Sequence, residues 1–178
     1  MSTDQPDDHT PDVASVDIGG VDYETAASGD KPNLRLWLRL LTCANMIETE
    51  VRSRLRSDFD VTLPRFDLMA QLEKAPDGLT MSELSRRLMV SNGNITGIVD
   101  RLVAESLITR TPNPHDRRTQ FVRLTARGRR VFLDMAAIHQ GWIDDLFSGL
   151  TPDEGRDLFA LLGRAKASIR TATENGEA

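Results

Sequence analysis

A chain of 178 residues can bury one real core and still carry a region for joining a second subunit. No apolar run reaches the ~20 residues of a membrane span, the acidic N-terminus offers no export signal, and a single cysteine, Cys43, excludes an internal disulfide, so a reducing, cytoplasmic setting is expected. The net charge of −5 is uneven: residues 1–30 hold eight acids and no Lys or Arg, leaving +3 on residues 31–178, and the stretch 86–130 sets ten arginines against Asp100, Glu105 and Asp116.

In chain order, residues 1–30 are rich in Asp, Ser, Thr, Gly and Pro and are expected to form a disordered acidic tail, too poor in large apolar residues to offset the entropy of ordering. A long helix is predicted over 31–62, with Leu34, Trp37, Leu38, Leu41, Asn45, Val51 and Leu55 at near-helical spacing. Its length suggests packing across a subunit interface or along the whole molecule. Pro64 opens a shorter helix to Lys74, which Ala75-Pro-Asp-Gly78 ends. Thr80-x-x-Glu83 is a capping box for a helix ending at Leu88, with Leu84 and Leu88 facing inward. Ser91 to Glu105 form the next helix, whose inner face is Ile95, Ile98, Val99, Leu102 and Val103.

Two short strands follow, Leu107 to Arg110 and Phe121 to Leu124, joined by a turn-rich loop tipped by Asp116-Arg-Arg118. Thr125 caps a long helix with Val131, Phe132, Met135, Trp142, Leu146 and Phe147 as its apolar set. Thr151-Pro-Asp-Glu154 starts a last helix with a narrow seam of Leu158, Leu161, Leu162, Ala165 and Ile169. The fold class is therefore mainly α, in the order α-α-α-α-β-β-α-α. Residues 63–126 form a winged helix-turn-helix, 31–62 and 127–172 are dimerisation helices, and 173–178 are a tail. The apolar stripes of the first and last helices also fit an ordinary intramolecular core; the two-fold symmetry of DNA half-sites favours a homodimer.

A helix entering the major groove reads bases with its N-terminal residues, here Ser91, Asn92, Gly93, Asn94 and Thr96. Asn can pair with adenine, a Thr methyl can touch a thymine methyl, and glycine lets the backbone come close. Arg86 and Arg87 are expected on phosphates, with one of them solvated or paired to Glu83 as the competing explanation. Arg117 and Arg118 at the wing tip belong against phosphate or in a groove, and Asp116 is expected to orient the wing through Arg101.

The pattern Asp-x-Arg, five residues, then Leu-Thr-x-x-Gly, carried by Asp116, Arg118, Leu124, Thr125 and Gly128, resembles the wing signature of the multiple antibiotic resistance regulator (MarR) family. Val90-Ser-Asn-Gly-Asn-Ile-Thr96 with Val99-Asp-Arg-Leu102 resembles that family's recognition helix. The resemblance covers roughly Leu34 to Ile169 in element order. It implies a homodimeric regulator, a repressor by default, that binds a palindromic operator in double-stranded DNA, with Arg118 in the minor groove, and is released by a small effector.

Arg35 and Arg39 stand four apart beside Trp37, so two guanidinium groups could clamp a carboxylate while the indole stacks on a ring; Phe66 is added as a neighbour. This resembles the subgroup that answers to aromatic carboxylates or their coenzyme A thioesters, with a place in aromatic compound catabolism. A surface arginine pair beside a core Trp37 is the plainer alternative. Some relatives sense peroxides through a cysteine in the first helix, but Cys43 lies among apolar and small neighbours, far in sequence from the only tyrosine, Tyr23, and is expected to be buried.

No enzyme is expected. His9, His115 and His139 share no spacing, and the sequence holds no metal-ligand cluster, phosphate-cradling loop or nucleophile elbow. No cofactor and no membrane partner are implied. A winged-helix module that binds protein rather than DNA is the alternative from another class; it leaves the wing arginines unexplained.

Overall fold

The structure is a computed structural model that describes residues 31–112 and 120–176. The expected acidic tail, 1–30, and the wing tip, 113–119, lie outside the described residues. The elements run α1 (Pro32–Phe59), α2 (Leu63–Glu73), β1 (Leu79–Thr80), α3 (Met81–Leu88), α4 (Asn92–Ala104), β2 (Ile108–Pro112), β3 (Gln120–Leu124), α5 (Ala126–Leu146) and α6 (Pro152–Gly176). The chain divides into two units within α1, Met1–Thr49 and Glu50–Ala178.

The described part of the first unit is the N-terminal portion of α1. Leu34, Leu36 and Trp37 are exposed there, so the core position considered for Trp37 is not met. Cys43 is exposed as well, which corrects its expected burial: it shares its turn with Ala44, Asn45 and Met46, all exposed.

The second unit holds the core. Val51 and Leu55 on the last turns of α1, Leu68, Met69 and Leu72 of α2, Leu84 of α3, Ile95, Val99 and Leu102 of α4, Ile108 of β2 and Val122 of β3 are buried together. Truncating one such leucine to alanine costs about 2–5 kcal/mol. At 100° per residue Ile95, Val99 and Leu102 share a narrow arc of α4. Ile98, half-buried, and Val103, exposed, stand at its two margins, which narrows the inner face expected from spacing.

The sheet has three antiparallel strands in the order β1-β3-β2, one more than expected. Leu79 pairs with Val122 and Thr80 with Phe121, while Ile108 pairs with Leu124 and Arg110 with Val122. The additional strand is two residues long, and pairing with β3 defines it. Gly78, at φ 89, turns the chain into it, and a Cβ there would stand 2.9 Å from the Val122 carbonyl oxygen. The Arg123 Nε closes this turn by donating to the Asp77 carbonyl at 2.7 Å.

On α5 the buried side chains are Phe132, Met135 and Trp142; Leu146 and the C-cap Phe147 are exposed. A capping box starts α6, as the sequence suggests: the Thr151 N–H donates to Glu154 Oε2 at 2.8 Å and the Glu154 N–H donates back to Thr151 Oγ1 at 3.3 Å. Its seam stays open, with Leu158, Leu161, Leu162 and Ile169 exposed, so the intramolecular-core alternative does not hold for α6.

Candidate nucleic-acid interface

The site is built on α3, the turn after it, and α4. Thr80 and Glu83 form the expected capping box, the Thr80 N–H donating to Glu83 Oε2 at 2.8 Å and the Glu83 N–H to Thr80 Oγ1 at 3.2 Å. The bonds from Thr80 backbone and hydroxyl, more than the nearby charges of Arg87 and Arg86, hold the Glu83 carboxyl below its ordinary range. With Leu84 turned inward, Arg86 and Arg87 point outward. Neither forms an ion pair with a described residue, so the alternative pairing to Glu83 is not made.

The turn is clamped from within. The Val90 N–H donates to the Ser85 carbonyl at 3.2 Å, and the Ser85 hydroxyl donates to the Val90 carbonyl at 2.6 Å. Met89 between them is left-handed, φ 52 and ψ 37, a conformation that costs a non-glycine residue roughly 1 kcal/mol. Ser91 then caps α4, accepting from the Asn94 N–H at 3.5 Å. With Ile95, Val99 and Leu102 turned inward, Ser91, Gly93, Asn94, Thr96 and Gly97 form an exposed edge, and Arg101 is exposed two turns further on. Asn92 is the first residue of α4. A Cβ on Gly93 or Gly97 would meet nothing within 4 Å. The sequence-predicted reading residues are therefore brought to one end of one helix.

Beside them lies the wing. Asp116, Arg117 and Arg118 lie outside the described residues, so the expected Asp116–Arg101 pair does too. What ties the wing's root to α4 is a neighbouring pair, Arg110 Nη2 of β2 with Asp100 Oδ1 at 2.5 Å. The foot of the wing explains the Leu124-Thr125-x-x-Gly128 motif. The Thr125 N–H donates to the Leu107 carbonyl at 2.9 Å, its hydroxyl donates to the Ser106 carbonyl at 2.9 Å, and it accepts from the Gly128 N–H at 2.8 Å. Any side chain at Gly128 would put its Cβ 1.8 Å from the Leu107 carbonyl oxygen.

The four residues considered for an effector have different settings. Arg35, Trp37 and Arg39 are all exposed on α1, but helical geometry puts the two arginines one turn apart on one side and Trp37 on the opposite side, so the three do not share a face as expected. Phe66 is instead buried, its ring 5.4 Å from that of Phe132 and 4.9 Å from that of His139. Trp142 extends this aromatic group toward Phe59, with Arg54 at 6.0 Å over its ring. Burial pushes the His139 pKa down.

Several residues that hold the site have no signature in the sequence. Arg110 and Asp100 couple wing to α4, Arg65 pairs with Glu105 at the end of α4, and Arg129 grips Glu73 at 2.9 Å to join α5 to α2. Their partners lie between 10 and 56 residues away, so only tertiary structure reveals them. Ser85 is the exception: a serine five residues before the turn's last carbonyl is a local signal.

The model of the MarR family matches residues 59–119. The multiple antibiotic resistance protein MarR of Escherichia coli is 30% identical over 125 residues, 70% of this chain and 86% of that protein. The transcriptional activatory protein BadR of Rhodopseudomonas palustris is 30% identical over 100 residues, 55% of this chain but only 57% of BadR, so the match spans a little over half of that relative. The crystal structure of a mutant E. coli MarR complexed with operator DNA superposes with a TM-score of 0.64 at 29% identity, over 75% of this chain and 93% of the other. An exposed α4 edge, a three-stranded wing fixed by Thr125 and Gly128, and this likeness lead to one assignment: the chain belongs to the MarR family of winged-helix transcription regulators.

Proposed function

We propose that the chain binds double-stranded DNA as a homodimer and regulates transcription from a palindromic operator. One observation carries this reading: the N-terminal edge of α4 is polar, exposed and free of protein neighbours at Gly93 and Gly97, and it stands beside two outward arginines without ion-pair partners among the described residues. A helix of this kind can enter a major groove, where Asn94 reads a base edge and Arg86 and Arg87 meet phosphates. Arg117 and Arg118, by their sequence position at the wing tip, reach the flanking minor groove, with Asp116 and Arg101 as their support. The open seam of α6 and the exposed apolar residues of α1 supply the surface for a second subunit. An operator overlapping a promoter makes the output repression.

The effector is proposed to be an aromatic carboxylate or its coenzyme A thioester, its anionic group held by Arg35 and Arg39; Trp37, two residues from each, stands on the other side of α1 and is left out of this clamp. Calorimetry with hydroxycinnamoyl-coenzyme A and the free acids tests this, and no heat from any of them would end it. For the DNA reading, the full chain is used to select duplexes from a randomised library. Enrichment of a two-fold symmetric motif is expected; a selected pool that binds no better than the starting pool would contradict it.

A further inference from the structure

Met89 is the most exposed large apolar side chain among the described residues, at 93%. It also occupies a left-handed position that glycine fills without strain. Nothing in the turn requires it: the Ser85 clamp uses backbone and serine atoms only. The other left-handed residues that are not glycine, among those described, are Asp60 and Ser106, short and polar, a type that tolerates this region better. Strain together with an exposed apolar chain, at a position two residues before the cap of α4, is the pattern expected where a side chain serves a partner rather than the fold.

The surroundings identify the partner. Arg86 and Arg87 precede Met89, and Ser91, Gly93 and Asn94 follow it, all exposed. One thioether among cations and small polar groups is too little for an apolar protein interface. It does suit a major groove, where the thymine C5-methyl is the apolar group and phosphates lie on either side. Methionine's long, unbranched, polarisable chain can settle against such a methyl.

We infer that Met89 is a specificity-determining residue that contacts a thymine methyl in each half-site, a role that rests on the DNA reading proposed above. The test uses the full chain and a duplex selected by it from a randomised library. Each thymine is replaced in turn by deoxyuridine, which lacks only the methyl, and binding is followed by fluorescence anisotropy for wild type, Met89→Gly and Met89→Ala. One replacement per half-site is expected to weaken wild type by about threefold to fivefold, the worth of one buried methyl group, and to leave both variants unchanged. Met89→Gly, which relieves the backbone, should melt no lower than wild type while losing that factor once for each half-site, about tenfold to twenty-five-fold in all, on the selected duplex and nothing on scrambled DNA. Equal sensitivity of wild type and variants at every thymine would overturn the assignment, as would an equal loss on selected and scrambled duplexes. Failure of the DNA reading looks different: wild type itself would then prefer no duplex over scrambled DNA.

Discussion

Gly128 and Gly97 both sit in helices, and their surroundings demand opposite outcomes from the same substitution. At Gly128 a Cβ would stand 1.8 Å from a backbone oxygen that Thr125 also uses. Gly128→Ala must push α5 off the foot of the wing, and a loss of about 2–3 kcal/mol in urea unfolding is expected. At Gly97 the added methyl meets open space. Gly97→Ala should raise stability by about 0.5–1 kcal/mol because alanine is the better helix former. The same variant should weaken duplex binding, since the methyl would occupy the gap between helix and groove. A stabilised protein that bound its operator as tightly as wild type would take this edge of α4 off the DNA.

At the scale of elements, α2 and α5 meet through Phe66, Phe132, His139 and Trp142, and His139 is the group that titrates. Its pKa in the folded chain is depressed by burial below its ordinary value of 6.5, so the unfolded chain binds the proton more readily. The contribution of the neutral ring is therefore full above that value and is lost as pH falls through it toward the folded pKa. Thermal melting between about pH 7.5 and about pH 5.5 should show a falling midpoint, and His139→Gln should flatten the slope. The Glu83 carboxyl titrates lower and stays ionised across this window. The start signals of the helices were legible in the sequence: Thr80, Thr125 and Thr151 cap where their spacing says, because a cap is a bond between residues three apart, and Ser91, expected as the first residue of its helix, is the cap just before it. The strand β1 was not, for two residues carry no period and Leu79-Thr80 becomes a strand only through Phe121 and Val122. The root of the wing was not legible: the Asp100–Arg110 pair has no local signature, and the expected Asp116–Arg101 pair lies outside the described residues.

For the whole molecule, two features of the sequence acquire a place. The excess of arginine over 86–130 is divided by the fold: Arg110, Arg123 and Arg129 are engaged inside the chain, while Arg86, Arg87 and Arg101 are exposed without ion-pair partners among the described residues. The seam of α6, which could have been core, stays open, with Phe159 beside it 81% exposed. Replacing Leu162 and Ile169 together by lysine should leave the fold of the reading head intact, since neither is buried. It should convert a dimer to a monomer in sedimentation and reduce operator affinity by at least about a hundredfold, the usual cost of losing a second linked site. A variant that stayed dimeric would place the subunit interface elsewhere.

Binding of a duplex by the exposed arginines and polar reading edge of the α3–α4 face should show in titrations of the selected duplex and scrambled DNA with wild type and Arg87→Ala over a range of salt concentrations. The expected result is preference for the selected duplex at every salt, affinity that falls linearly on logarithmic axes, and a slope reduced for Arg87→Ala by about one per subunit on both DNAs. Equal binding of selected and scrambled duplexes, or a slope unchanged by Arg87→Ala, would contradict it.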